Sequence, residues 1–178
     1  VKVDKDFRTS VAGISAIGDV ITFGTGAHAQ LAHLSSAEGI HLAERIAGKT
    51  PPPIIYDQVP GCTYCDPEIG SIGLTEAEAK KRGYDVVVGK FPFGVLGRAK
   101  IAGEIEGFVK IVADKHTGVL LGVHICGPWA TELIAEGYLS VNWEATGADL
   151  GALIHAHPTL SELFGESALA LTGRSLHG

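Results

Sequence analysis

The stretch "GFVKIVADKHTGVLLGVHICGPWATELIAEGYLSVN", Gly107–Asn142, decides the fold. Gly107–Ala113 and Val119–Ile125 are short runs rich in β-branched and apolar residues, and "DKHTG" between them supplies the turn, so the pair reads as two strands. Trp129–Asn142 carries Leu133, Ile134, Leu139 and Val141 and reads as a helix. Working outward, strands are expected at Thr63–Cys65, Ile69–Leu74 and Asp85–Pro92, and a helix runs from a Thr75 cap through Lys81 to a turn at "GYD". Further helical segments are expected at Ala148–Leu153 and Leu160–Leu171. Strands followed by helices predict an α+β layer, an antiparallel sheet with helices packed on one face.

Upstream the pattern changes. Ile14–Ile17 reads as a short strand ending at Gly18-Asp19, a glycine-rich loop follows, and Ala29–Ala47 has apolar residues at helical spacing. This is the end of an α/β unit. The proline-rich "GKTPPPIIYDQVPG", Gly48–Gly61, cannot continue the helix and marks the expected domain boundary, with residues 1–50 on one side and 54–178 on the other.

With 178 residues, 46% of them hydrophobic, the chain can bury a core. A formal charge of −6 without any basic run argues against a nucleic-acid surface. No apolar run approaches the roughly 20 residues of a membrane span. Three cysteines cannot close a disulfide framework, which points to a reducing compartment. There is no methionine, and "VKVDKDFRT" reads as a strand and turn already inside a domain, so a piece of a longer polypeptide is expected.

Chemistry concentrates in "IHAHPTLSELF", Ile154–Phe164. Pro158 suits a helix start, which puts His157 at its mouth and Glu162 in the first turn, where a carboxylate could orient an imidazole. Three readings stand side by side: acid/base chemistry by His157 and Glu162; a capping box between Thr159 and Glu162; and a metal pair of His155 and His157. Asp19, after "AIG", would project from the carboxyl end of a strand as a hydroxyl acceptor or close an Asx turn. Cys62 and Cys65 form C-x-x-C, but Asp66 and Glu68 would raise rather than lower a thiol pKa, so structural cysteines are expected. His124 is expected to bond within the sheet.

"TSVAGISAIGDV", "LAHLSSAEGI", "CDPEIGSIGLTEAEAKKRGYDVVVGKFPF", "GRAKIAGEIEGFVKIV", "LLGVHICGPWATELI" and "IHAHPTLSE" occur in this order along the whole chain. Together they resemble the FAD-dependent pyridine nucleotide-disulfide oxidoreductases. Leu160, where glutathione reductases have a second serine, favours the dihydrolipoamide dehydrogenase branch. The resemblance implies the end of an FAD-binding domain followed by a dimerisation domain. It also implies that His157 is the acid/base, oriented by Glu162 and acting across a homodimer on the partner's redox disulfide. Asp19 matches the FAD-binding aspartate, and Gln30, Leu31, Ala32 and His33 match the segment that meets the flavin. NAD is the implied co-substrate, and lipoyl-bearing domains of 2-oxo acid dehydrogenase complexes are the implied partners, in the cytoplasm or, in a eukaryote, the mitochondrial matrix. The C-x-x-x-x-C pair, the first dinucleotide-binding motif and the NAD domain are not in this sequence, so the chain alone is expected to be inactive, without bound FAD. The rival readings are a non-catalytic dimerisation module and another disulfide reductase of the same family. For the interface, the apolar stripes Leu160, Leu163, Phe164, Ala168, Leu171 and Leu133, Ile134, Leu139, Val141 are expected to face a second copy.

Overall fold

The computed structural model describes residues 1–24 and 28–177, in two compact units, Val1–Tyr56 and Asp57–Gly178. Thr25, Gly26 and Ala27 of the glycine-rich loop lie outside the described residues.

The second unit is built on a five-stranded sheet: β1 (Gly61–Thr63), β2 (Ile69–Gly73), β3 (Val86–Pro92), β4 (Phe108–Asp114) and β5 (Leu120–Cys126). The spatial order is β1-β2-β5-β4-β3, and every neighbouring pair is antiparallel. Register aligns Gly89, Ile111, Val123 and Ile72 in one row across the sheet, and Phe91, Val109, Ile125 and Gly70 in the next. Because side chains alternate along a strand, both rows point to one face, and there α4 (Ala130–Asn142) and α6 (Glu162–Ala170) pack. Phe91, Val109, Ile111, Val123, Leu163 and Phe164 are fully buried between the layers, each large side chain stabilising the fold by about 1.5–3 kcal/mol. Glycines set the spacing. A Cβ on Gly89 would lie 2.0 Å from the Ser167 carbonyl of α6, and one on Gly70 would lie 2.5 Å from the Ala130 carbonyl of α4.

The opposite face has a polar centre among apolar residues such as Phe108 and the buried Val112. Lys110 and His124 stand opposite each other there, and Glu76 of α2 (Glu76–Lys81) reaches Lys110 Nζ at 2.8 Å. Thr75 caps α2, its hydroxyl accepting from Glu78 N–H at 3.2 Å, as its sequence position anticipates. His124 bonds the Leu74 carbonyl at 3.0 Å, also as expected, and burial pushes its imidazole down.

Several elements depart from the sequence reading. Helix α3 (Gly97–Ala102) was not anticipated: Ala99 is its single buried residue, so the segment carries no helical period. The helix read over Leu160–Leu171 begins only at Glu162, because the residues after the cis His157–Pro158 peptide form a turn. Its apolar stripe is not an outer face. Leu163, Phe164 and Ala168 belong to the core, with the partly buried Leu160 and Leu171 packed against it. Ile134 and Val141 of α4 are buried as well, leaving Leu139 as the exposed member of that set.

In the first unit, α1 (Ala32–Ile46) starts three residues later than Ala29. Ile14–Ile17 is not a ladder strand. Only the isolated bridge Arg8↔Ser15 forms, and Ile14 is exposed, since a short apolar run without paired neighbours gains no sheet. A small core of Val3, Phe7 and Ile21 holds this unit, with Ile17 and Leu42 against it.

Candidate active site

His157 and Glu162 meet. His157 Nδ1 lies 2.9 Å from Glu162 Oε1, while Glu162 Oε2 accepts the Thr159 N–H at 2.9 Å. One carboxylate oxygen meets the imidazole, as the orienting reading expects, but the capping box does not form: α6 opens at Glu162 with Ser161 before it and no side-chain cap, so the other oxygen holds the Thr159 N–H of the preceding turn. The local chain explains this: Thr159 Oγ1 donates to the Ala156 carbonyl at 2.6 Å and meets Ser161 Oγ at 2.8 Å, closing a turn between Pro158 and α6. Burial works to raise the Glu162 carboxyl, but the Thr159 N–H, the His157 ring and the charge of His177 together outweigh it and hold it below the ordinary carboxylate range. An ionised Glu162 can only accept, so His157 donates from Nδ1. Its Nε2 is then left with a lone pair on a side chain that is 73% exposed, against 14% for Glu162.

His155 does not join His157 as a metal pair. Its Nε2 bonds Glu136 Oε1 of α4 at 2.7 Å, and among the described residues no group of three or more His, Cys, Asp or Glu could hold a metal ion. A cleft of about 380 Å³ adjoins the turn, lined by Thr159 and Ser161, Trp129 and Leu133 of α4, and Arg98 of α3. Sequence reasoning missed Arg98 and Trp129, whose backbone takes the left-handed conformation at φ 60°.

In the first unit, Asp19 sits in a single 3₁₀ turn, Gly18–Val20, not at a strand end, and its carboxylate is exposed. Ser35 Oγ lies 3.3 Å from Asp19 Oδ1, which brings Asp19 beside the first turns of α1. Gln30 is exposed, Leu31 is the residue before α1, and Ala32 and His33 open the helix. Among the described residues Leu31 makes no side-chain cap bond, and the positive dipole end of α1 stands near the exposed Asp19 carboxylate. Asp19 could accept from the ribityl hydroxyls of a flavin, and the helix start could face its carbonyl edge.

A feature missed in the sequence lies beneath them. Glu38 is wholly buried and accepts from Gly18 N–H at 2.7 Å, His28 Nε2 at 2.7 Å and Tyr56 OH at 2.9 Å. It ties the Asp19 turn to α1. Burial first, then the Glu38 bond and charge, pushes the Tyr56 hydroxyl far up.

Residues 59–168 match the family model for the pyridine nucleotide-disulphide oxidoreductase dimerisation domain. The chain belongs to this family. Among its relatives are dihydrolipoyl dehydrogenase of Bacillus subtilis (strain 168), 48% identical over 99% of this chain and 36% of that protein, and mitochondrial dihydrolipoyl dehydrogenase 2 of Arabidopsis thaliana, 45% identical over 99% of this chain and 34% of that protein. The chain thus spans about a third of the length of these curated relatives. The crystal structure of LpdA from Mycobacterium tuberculosis superposes with a TM-score of 0.83 at 28% identity, covering 94% of this chain and 35% of that one.

In this oxidoreductase-family chain the C-x-x-C cysteines are free. Burial, then the charges of Glu132 and Glu68, pushes the Cys62 thiol up, the reverse of an activated nucleophile. No helix of the described residues is long and apolar enough to cross a membrane.

Proposed function

We propose that this chain supplies the acid/base histidine and the two-fold interface of a dihydrolipoyl dehydrogenase, which oxidises dihydrolipoyl groups of 2-oxo acid dehydrogenase complexes with NAD through a redox disulfide and FAD. The observation that carries the reading is the His157–Glu162 pair, with an exposed imidazole aimed away from a carboxylate that holds its other nitrogen. His157 Nε2 takes the proton of an attacking dihydrolipoyl thiol, and Glu162 stabilises the imidazolium that results. The disulfide lies outside this chain, on the partner subunit, which explains why no nucleophile adjoins His157.

Residues 1–50 close the FAD domain and 54–178 form the dimerisation domain. Asp19 would hold flavin ribityl hydroxyls and the backbone of Gln30, Leu31, Ala32 and His33 its carbonyl edge. FAD, when bound, supplies electron transfer between disulfide and NAD. Only part of that site is here, so the chain alone is inactive and colourless. A homodimer is supported by apolar groups left outside the core: Trp143 is 76% exposed, Ile154 100% and Leu139 43%. The free cysteines suit the bacterial cytoplasm or mitochondrial matrix.

The test is turnover of the intact enzyme with dihydrolipoamide and NAD. His157→Gln should lower it roughly 10²–10⁴-fold with FAD retained, and Glu162→Gln should lower it less. Unchanged turnover in both would favour the second reading, a non-catalytic dimerisation module in which Glu162 holds the Thr159 N–H, as its Oε2 does.

A further inference from the structure

We propose that His155 is a positioning residue for His157, bracing the histidine turn between α4 and α6, and that Gly165 is small in order to admit it. The inference rests on the acid/base reading of His157 and adds what fixes that ring in space.

His157 is exposed, and among the described residues its ring bonds Glu162 alone. Neighbouring side chains therefore do little to hold it, and its direction follows the backbone of the turn. That turn is pinned at its far end by Thr159 and Glu162. At its near end the pin is His155, whose side chain is 11% exposed. One edge of the His155 ring reaches α4 through Nε2, 2.7 Å from Glu136 Oε1. The other edge lies against α6, where a Cβ at Gly165 would come within 2.9 Å of Nδ1 and 3.3 Å of Cε1. Glycine inside a helix is unfavourable, yet Gly165 is buried in the middle of α6. The imidazole occupying the place of its side chain accounts for it. Glu162 stands one turn before Gly165 on the same helix, so the groove that receives His155 and the carboxylate that receives His157 move as one body. Two histidines two residues apart thus hold opposite tautomers. His155 donates from Nε2 to Glu136, and His157 donates from Nδ1 to Glu162, keeping its outer nitrogen bare for a proton.

The experiment is ring ¹⁵N–¹H correlation spectroscopy of the histidines in the ¹⁵N-labelled 178-residue chain, at a pH where the rings are neutral. In the unsubstituted chain, His157 should show a protonated Nδ1 and His155 a protonated Nε2. His155→Ala should leave His157 averaging over both tautomers, whereas His155→Gln, which keeps a donor toward Glu136, should retain most of the preference. Gly165→Ala, which displaces the ring, should reproduce the His155→Ala spectrum, and the double variant should be no worse than either alone. Amide spectra and thermal unfolding report whether each variant is folded. If His155→Ala fails to fold, Gly165→Ala and Glu136→Gln carry the same test. A His157 that keeps its Nδ1–H preference in folded His155→Ala or Gly165→Ala overturns the positioning role and leaves the acid/base reading standing. A His157 without preference in the unsubstituted chain overturns the dyad, and the inference with it.

Discussion

Two of the histidine–glutamate pairs, one taken from each unit, are chemically alike and differ in where they sit. His28–Glu38 and His157–Glu162 are 2.7 and 2.9 Å apart. Side-chain exposure is 4% and 0% in the first pair, 73% and 14% in the second. In the interior, Glu38 accepts from a backbone N–H, an imidazole and a phenol hydroxyl and becomes a tie between segments. At the surface, Glu162 spends one oxygen on the chain and one on an imidazole that remains open to a reactant. Burial, not residue type, separates a structural pair from one suited to proton transfer.

The largest expected effect breaks the comparison at its buried end. Glu38→Leu leaves Gly18 N–H, His28 and Tyr56 without an acceptor in the interior and should cost about 3–5 kcal/mol. Glu162→Gln, with a partner that is mostly in water, should cost about 1 kcal/mol or less. Urea unfolding followed by circular dichroism, together with exchange of the Gly18 amide, checks both. Similar losses would erase the distinction.

A smaller effect sharpens the comparison through pH. The Glu162 carboxyl is held low, so its contribution to stability is present above the unfolded carboxyl value of about 4.3 and is lost as the pH falls through the folded value. The Tyr56 hydroxyl is held high, so its contribution is intact below the unfolded value of about 10 and is lost as the pH rises through the folded value. Unfolding temperatures across pH should show a Glu162-dependent acid limb that Glu162→Gln flattens. In ultraviolet titration Tyr56 should stay silent until unfolding.

How much of this is legible in the sequence depends on whether the signal is local. Strands β3, β4 and β5 fall within one residue of their expected bounds, because alternating apolar runs and the "DKHTG" turn are local features. His157, Pro158 and Glu162 are five residues apart at most, so their meeting could be anticipated. The Glu38 tie could not: its donors are 10, 18 and 20 residues away, on segments with no shared period. The destination of the α6 stripe was also hidden. Leu163, Phe164 and Ala168 mark a buried face, but whether the sheet or a second copy buries them depends on how closely α6 approaches, which Gly89 decides from another part of the chain.

The most direct test of the central claim, that the exposed pair presents its bare ring nitrogen to solvent while the unpartnered Nδ1 of His28 is shut in the interior, is site-resolved diethyl pyrocarbonate modification of the native chain read by mass spectrometry. His157 should react among the fast histidines, at Nε2, and His28 should remain unmodified until the first unit unfolds. A protected His157, or a His28 that reacts as fast in the folded chain, would contradict the account.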